Sequence, residues 1–377
     1  MREQVSNPSY FSRTDTKAIK GVAVVLMLFH HLAAFPARLP VFFTGFESVC
    51  ASFVESGHLQ SMAMAAKICV SLFFFLGGYG FYIRRKTKHI NIADEIIRLY
   101  RAYWKVFLVF VPIAILFFAN GADELSSYCT RYRFESITKL VSTVLSDFIG
   151  WTSNCNSEWW FFKSFICAMI LGSLFCELTD RNQSFWKDIF IVFVLDILIS
   201  SVFPAIAKTE AFSSLEKNVY YKSFFTINKY APAYFAGIVF AKYDGVNWIM
   251  EKIQALPRPG IASALGLGIL YLTRMYVFQG TADLIIAAFM VPVMAVFLKN
   301  FSAVNKIFAF LGKHSTNIWL IHSFYCYYFL EVTHVVFATR NVWVGLLTLL
   351  LLSLVSSIAL DVFYSLLGRI FQKQRPV

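Results

Sequence analysis

Two histidines and a lysine lie within the first apolar stretch of the chain, which is long enough to cross a bilayer. Lys20 and His31 are eleven positions apart, and eleven helical steps of about 100° return to within about 20° of the starting direction. The two side chains therefore share a helix face, about 16 Å apart along the axis, whereas His30 points elsewhere. Ionisable groups inside a membrane are costly and tend to line a functional path.

An imidazole on such a path can take a proton from a hydroxyl or can carry an acyl group. We predict that His31 does this chemistry, as a base or as an acyl carrier. His30 is the second candidate, although a hydrogen bond to a neighbouring backbone carbonyl is the more common role for a buried histidine.

The elements that must position these residues are membrane helices. The 377 residues are 58% hydrophobic and only 15% charged, which exceeds the apolar content of an average soluble domain. A net charge of +12 would suit nucleic acid, but basic residues between apolar runs are typical of positive-inside topology. We expect an all-α polytopic bundle with lipid around it and no nucleic-acid partner. The cysteine spacing predicts no metal site.

Ten apolar stretches predict about ten transmembrane helices in one domain covering 1–377. The predicted spans are 17–36, 62–83, 103–119, 158–178, 187–206, 229–243, 260–279, 281–298, 314–337 and 341–367. The first span also resembles a secretory signal, but it is long for one and we expect it to be retained. Polar residues interrupt Ile137 to Gly150, which predicts an interfacial or re-entrant helix.

The distribution of basic residues predicts the orientation. Most of the 34 Lys and Arg fall on one side if both termini are cytoplasmic. The densest block begins at Arg84 and Arg85 and continues to Arg98 and Arg101. It is either a topology anchor that contacts anionic lipid or a phosphate-binding surface. Arg98 and Arg101 are three apart, so in a helix both could reach one phosphate.

Two further motifs complete the pattern. The second span carries Phe73-Phe74-Phe75-Leu76-Gly77-Gly78-Tyr79, and the ninth carries Leu311-Gly312-Lys313-His314-Ser315-Thr316-Asn317-Ile318-Trp319-Leu320-Ile321-His322. With the Lys20/His31 span and the arginine pair, these motifs resemble the acyltransferase 3 family. Its members are integral membrane enzymes that O-acylate sugars, cell-wall polymers and some antibiotics.

Three positions depart from the family pattern. Lys20 replaces the usual arginine and lacks its planar fork, Gly77 replaces a serine, and Trp319 replaces a tyrosine. The resemblance implies acyl-CoA, most commonly acetyl-CoA, as co-substrate, a carbohydrate acceptor and no permanently bound cofactor. With such a donor, the basic block would bind its phosphates on the four arginines named above. Lys20 would contact the donor's cytoplasmic end, or would be a snorkelling lysine that fixes topology.

The acceptor side is predicted at the start of the fourth span and in the ninth. Glu158 and Trp159 either belong to an interfacial aromatic belt or bind a sugar through an acid and a stacking ring. His322 and Ser315 lie nearly on one helix face and either orient the substrate or pack in the core. Intramembrane Asp196, Asp283 and Asp361 are further candidates, and the sequence predicts no partner for any of them.

A transporter or flippase of a glycan precursor is the competing class, because it would also gather polar residues within the membrane. Such proteins often carry paired broken helices in repeated halves, and no repeat is visible in this sequence. A membrane sensor without enzymatic activity is a third class. We expect no separate periplasmic hydrolase-like domain, so the membrane domain would act alone or with a partner.

Overall fold

The fold is a bundle of α-helices, seen in a computed structural model. The structure describes residues 11–35, 57–118, 132–212, 228–278, 280, 282–339 and 341–373, together with the single positions 214, 218, 221, 224 and 225. Its described residues contain no β-strand. The prediction of an all-α polytopic protein is therefore confirmed.

The helices follow the apolar stretches of the sequence. In chain order they are α1 (Arg13–Ala33), α2 (Gly57–Ala65), α3 (Ile68–Thr87), α4 (Ile92–Phe117), α5 (Ile137–Phe148), α6 (Trp160–Thr179), α7 (Phe185–Ile197), α8 (Phe203–Ala207), α9 (Ala231–Lys242), α10 (Gly245–Gln254), α11 (Pro259–Thr273), α12 (Asp283–Asn300), α13 (Ser302–Lys313), α14 (Ser315–Ser323), α15 (Leu330–Phe337) and α16 (Val342–Lys373). Short 3-10 or π turns join several of them, among them Ser157–Trp159 before α6 and Phe324–Tyr328 after α14.

Eight helical stretches within the described residues are long and apolar enough to cross a membrane. The predicted sixth span corresponds to α9, whose 12 residues cover about 18 Å, well short of a hydrocarbon core of about 30 Å. The predicted ninth span is divided into α14, the π turn and α15. The count of ten therefore stays a prediction.

The chain forms two compact units, each built from three separate segments, and the prediction of a single domain stays a prediction. The first unit comprises Met1–Ala23, Ile68–Ile96 and Trp160–Ala309. At its centre the short helix α9 packs against α3 and α6. Almost every residue of α9 is buried, so this helix is internal to its unit.

Glycines allow α3 and α9 to approach closely. A Cβ atom on Gly78 would lie 1.9 Å from the Tyr234 carbonyl oxygen, and one on Gly237 would lie 2.0 Å from the Phe75 carbonyl oxygen. At Gly77 a Cβ would meet the Phe165 ring at 2.6 Å. Aromatic rings already occupy the space that a side chain at position 77 would need.

The second unit comprises Val24–Lys67, Ile97–Trp159 and Phe310–Val377. Here α14 packs against α16. Apolar side chains at the four-residue spacing Ile137, Val141, Leu145 and Ile149 are exposed along one side of α5. This amphipathic helix matches the segment for which an interfacial helix was expected, and its position relative to a membrane stays a prediction.

The buried carboxylate of Asp147 shapes the chain that leads from α5 toward α6. It accepts hydrogen bonds from the backbone N–H groups of Asn154, at 3.1 Å, and Cys155, at 2.5 Å, and from the Thr152 hydroxyl. Tyr132 also donates its hydroxyl to the Cys155 carbonyl. A fully buried acid with several donors around it fixes a loop in place, and this loop leads directly to Glu158.

Candidate active site

Glu158 and His31 face each other within the second unit. His31 lies near the carboxyl end of α1, and Glu158 lies in the 3-10 turn that precedes α6. The distance from His31 Nε2 to Glu158 Oε2 is 3.6 Å, and the side chains are 13% and 8% exposed. This is an ion-pair distance, slightly longer than a hydrogen bond. A carboxylate at that position favours a proton on Nε2.

Tyr327 fixes the backbone on the other side of His31. Its hydroxyl donates a hydrogen bond of 2.5 Å to the His31 carbonyl oxygen, and the Tyr327 hydroxyl oxygen lies 3.5 Å from His31 Nδ1. Because the single hydroxyl proton goes to the carbonyl, the tyrosine offers Nδ1 only an acceptor. Tyr327 belongs to the π turn, and π turns within helices are frequent at functional sites.

The His322 ring lies beside the His31 ring. The two ring centroids are 4.9 Å apart, with the planes tilted by 46°. His322 Nδ1 lies 2.7 Å from the Trp319 carbonyl oxygen, which can only accept, so Nδ1 carries the proton. The side chain is fully buried, and Nε2 has no hydrogen-bond partner among the described residues.

A second layer of polar groups holds Glu158 in position. The Asn156 amide donates to Ser323 Oγ at 2.6 Å, and Asn156 Oδ1 accepts the Glu158 backbone N–H at 3.0 Å. Ser157 Oγ lies 2.8 Å from the Tyr328 hydroxyl and donates to Glu158 Oε1 at 3.3 Å. The carboxylate is thereby tied to the same π turn that holds His31.

The predicted role of Trp159 in sugar stacking does not fit the structure. Its ring is 2% exposed, packs edge-on against Tyr103 at 4.9 Å, and donates its N–H to the Leu320 carbonyl at 3.0 Å. An indole enclosed in this way has no free face for a sugar. Trp159 instead ties the loop that carries Glu158 to α14.

His30 and Ser315 lie outside the His31–Glu158 contact. His30 is 4% exposed, and its Nδ1 lies 2.8 Å from the Ala63 carbonyl, which is the bond of a structural histidine. Ser315 is buried at the start of α14, about 10 Å along the axis from His322. Neither Ser315 nor His30 contacts Glu158 in the interactions described.

All three aspartates that were candidates have polar partners, and the contacts of Asp283 are the shortest. Asp283 forms a two-bond ion pair with Arg274 at 2.8 and 2.9 Å. Asp361 lies 3.6 Å from His314 Nδ1 and accepts a long bond from Asn317. Asp196 accepts a hydrogen bond of 3.3 Å from Ser200 Oγ. Each of these contacts is made within its own unit.

The predicted donor-binding residues are divided between the two units. Lys20 lies on α1 within the first unit. In the same unit Arg84 pairs with Glu95 at 3.1 Å, and Arg85 makes a two-bond pair with Asp180 at 2.8 and 2.7 Å. Hydrogen bonding from Arg85 lowers the pKa of the Asp180 carboxyl below its ordinary value. Both arginines are thus already occupied by acids.

Arg98 and Arg101 belong to α4 in the second unit. They lie one helical turn apart, as their spacing predicted, and both are exposed. Two exposed guanidinium groups one turn apart can bind a single phosphate.

Several residues of the site were not found from the sequence. Asn156, Ser323, Tyr327 and Tyr328 form the layer around Glu158 and His31. The available signal was weak, because hydroxyl and amide groups in the segments 156–158 and 323–328 stand among many aromatic residues. Only the fold shows that these two segments meet.

The fold and the apolar helices define a polytopic, all-α integral membrane protein with a polar site in its second unit. The chain matches a family model described as an acyltransferase domain (Acyl_transf_3) over residues 15–362. It therefore belongs to the acyltransferase 3 family and is a membrane acyltransferase. No curated protein and no solved structure matches the chain.

Proposed function

We propose that this membrane acyltransferase moves an acetyl group from acetyl-CoA to a hydroxyl of a carbohydrate acceptor, such as a cell-surface glycan. The observation that carries the proposal is the contact of 3.6 Å between His31 Nε2 and Glu158 Oε2. The residue types supply what transfer to a hydroxyl requires: a nitrogen that can accept a proton or an acyl group, and a carboxylate that orients it.

The acid sets which nitrogen of His31 reacts. A proton on Nε2 faces Glu158, so the lone pair of His31 is on Nδ1. The carboxylate also stabilises the positive charge that the ring gains when Nδ1 takes a proton or an acyl group. This is the base–orienter arrangement of nucleophilic and general-base catalysis, recognised by geometry rather than by sequence order.

The donor's phosphates would bind on exposed Arg98 and Arg101 of α4. Arg84 and Arg85 are weaker candidates for the same ligand, because each must first release an acidic partner. Lys20 would contact the part of the donor that enters along α1. No cofactor is required for this reaction beyond acetyl-CoA as co-substrate.

The sidedness of the reaction follows from the basic residues. With both termini cytoplasmic, the loop after α3 faces the cytoplasm, where acetyl-CoA is made. Glu158 and the segment before it would face outward, where a lipid-linked or nascent glycan is presented. The acyl group would then cross most of the membrane within the protein.

Purified protein supplied with labelled acetyl-CoA and glycan from a strain that lacks this protein tests the proposal. We expect release of CoA and incorporation of the label into the glycan. A His31→Ala protein that remains folded provides the matched control without catalysis. A folded wild-type protein that releases no CoA and labels no glycan would contradict acetyl-CoA-dependent acylation.

A further inference from the structure

His322 holds a basic nitrogen that the contact between His31 and Glu158 does not use. Its Nδ1 proton is committed to the Trp319 carbonyl, so the lone pair is on Nε2. That atom is buried and has no partner among the described residues. Buried polar atoms are almost always hydrogen-bonded, so an unbonded ring nitrogen beside the reacting histidine indicates a partner that arrives during the reaction.

The two nitrogens of the neighbouring His31 ring have different surroundings. Nε2 faces the Glu158 carboxylate at 3.6 Å, which favours the proton on that nitrogen and makes Nδ1 the nucleophile of the proposed transfer. If Nδ1 bonds to an acyl carbon, His31 has no nitrogen left to accept the proton of the attacking hydroxyl. A two-step transfer through His31 therefore needs a second base.

We propose that His322 is this second base and that His31 is the acyl carrier. This assignment rests on the proposed acyltransfer function. The centroids of the two rings are 4.9 Å apart. An oxygen that attacks a carbonyl carbon on His31 can therefore lie within the reach of about 2.6–3.2 Å that proton transfer to His322 requires.

The two half-reactions balance. In the first, His31 Nδ1 attacks the thioester carbonyl, the carbon–sulfur bond breaks, and CoA leaves as a thiolate. In the second, the acceptor oxygen attacks the acyl carbon while its proton passes to His322 Nε2. The carbon–nitrogen bond then breaks, and the neutral His31 ring returns with its Nε2 proton still facing Glu158. His322 finally releases this proton to the solvent, which balances the proton that the CoA thiolate takes up.

Two amide substitutions separate the structural bond of His322 from its basic nitrogen. In His322→Asn the amide N–H occupies the place of Nδ1–H and can keep the bond to the Trp319 carbonyl. In His322→Gln the amide lies where Nε2 was. Neither amide accepts a proton at neutral pH, so both variants remove the base, whereas only the first preserves the structural contact.

Rapid mixing of each variant with labelled acetyl-CoA provides the readout. For His322→Asn we expect a burst of about one CoA per protein, as in the wild type, because the first half-reaction does not use His322. Steady-state transfer should fall by about 10²-fold or more. Label should accumulate on the protein and be released by hydroxylamine, which cleaves acyl-imidazoles. A His31→Gln protein should show no burst and no bound label.

Each other result overturns the assignment. Full turnover in both amide variants would make His322 a packing residue. Loss of the burst together with turnover in folded His322→Asn would place His322 in donor binding or in the first step. If His322→Asn does not fold, the same burst and turnover criteria apply to His322→Gln. If the wild type acetylates the glycan but no variant ever holds label, His31 is not an acyl carrier and the proposed function remains. If the wild type releases no CoA, the proposed function itself is wrong.

Discussion

At the scale of single residues, the site depends on which nitrogen of each histidine carries a proton. Backbone carbonyls fix Nδ1–H in both His30 and His322, whereas His31 is oriented by the Glu158 carboxylate instead. Among these three rings, His31 is therefore the one that the described contacts place beside a carboxylate. This difference follows from the fold and separates two histidines that are adjacent in the chain.

Replacing each of the paired histidines tests that difference. His31→Ala should lower kcat by about 10²-fold or more, the usual effect of losing an acid–base group, with expression unchanged. His30→Ala should mainly lower the thermal unfolding temperature, because it leaves the Ala63 carbonyl without its donor and opens a cavity. Both quantities can be measured on purified protein in detergent. An inactive His30→Ala protein beside a normally active His31→Ala protein would refute the assignment.

Sequence spacing was sufficient for part of this site. The eleven-residue interval separated His31 from His30, and the motif that ends in His322 marked the segment that packs beside it. Spacing could not reveal that Glu158 would meet His31, because the two residues are 127 positions apart and only the fold of α5 and its loop brings them together. It also left Trp159 as either a residue of an aromatic belt or a sugar-stacking ring, since an aromatic residue beside a predicted membrane boundary looks the same whether it faces lipid, sugar or the core.

At the scale of elements, close helix contacts and short helices position the chemistry. The α3 motif Gly77-Gly78 was identified from the sequence as part of a family pattern, and in the structure it forms the surface on which α9 packs. The predicted sixth span, 229–243, was already short in the sequence. The sequence did not show that α9 is buried within its unit, because apolar composition is shared by internal and membrane-spanning helices.

A methyl group at that contact should be strongly destabilising. The Cβ of Gly78→Ala would overlap the Tyr234 carbonyl oxygen at 1.9 Å, which forces the helices apart at a cost of about 1–3 kcal/mol or more. Gly268→Ala in α11 is the matched control, because nothing lies within 4 Å of its Cβ position. Thermal unfolding in detergent should show a lower midpoint for the first variant only. Equal midpoints would mean that α3 and α9 are not in this contact.

The arginine pair of α4 gives a second prediction at this scale. Replacing Arg98 and Arg101 by Gln should raise the KM for acetyl-CoA more than the KM for the acceptor, since charge-assisted bonds to phosphate are lost. Arg85→Gln is the comparison, because that guanidinium already pairs with Asp180 and should affect the donor less. Equal changes for both substrates, or none, would indicate that the α4 pair is a topology anchor.

At the scale of the whole molecule, the mechanism requires a defined orientation in the membrane. The excess of basic residues predicts cytoplasmic termini. The orientation decides whether the protein can bind acetyl-CoA on the cytoplasmic side and a glycan on the outer side. It therefore separates acylation across the membrane from acylation on one face.

Cysteine labelling in intact cells measures this orientation. In a background that lacks the native thiols, a Lys86→Cys protein should resist an impermeant maleimide, because the basic end of α3, which holds Lys86, is predicted to face the cytoplasm. The Ser126 position on the opposite side lies outside the described residues, so Glu135→Cys, which is exposed just before α5, is the matched outward site and should react. Both cysteines should react after the membrane is permeabilised, which controls for accessibility. The reverse pattern in intact cells would place the basic segment outside, away from acetyl-CoA. It would exclude transfer from a cytoplasmic donor to an external glycan, whereas the family assignment would not change.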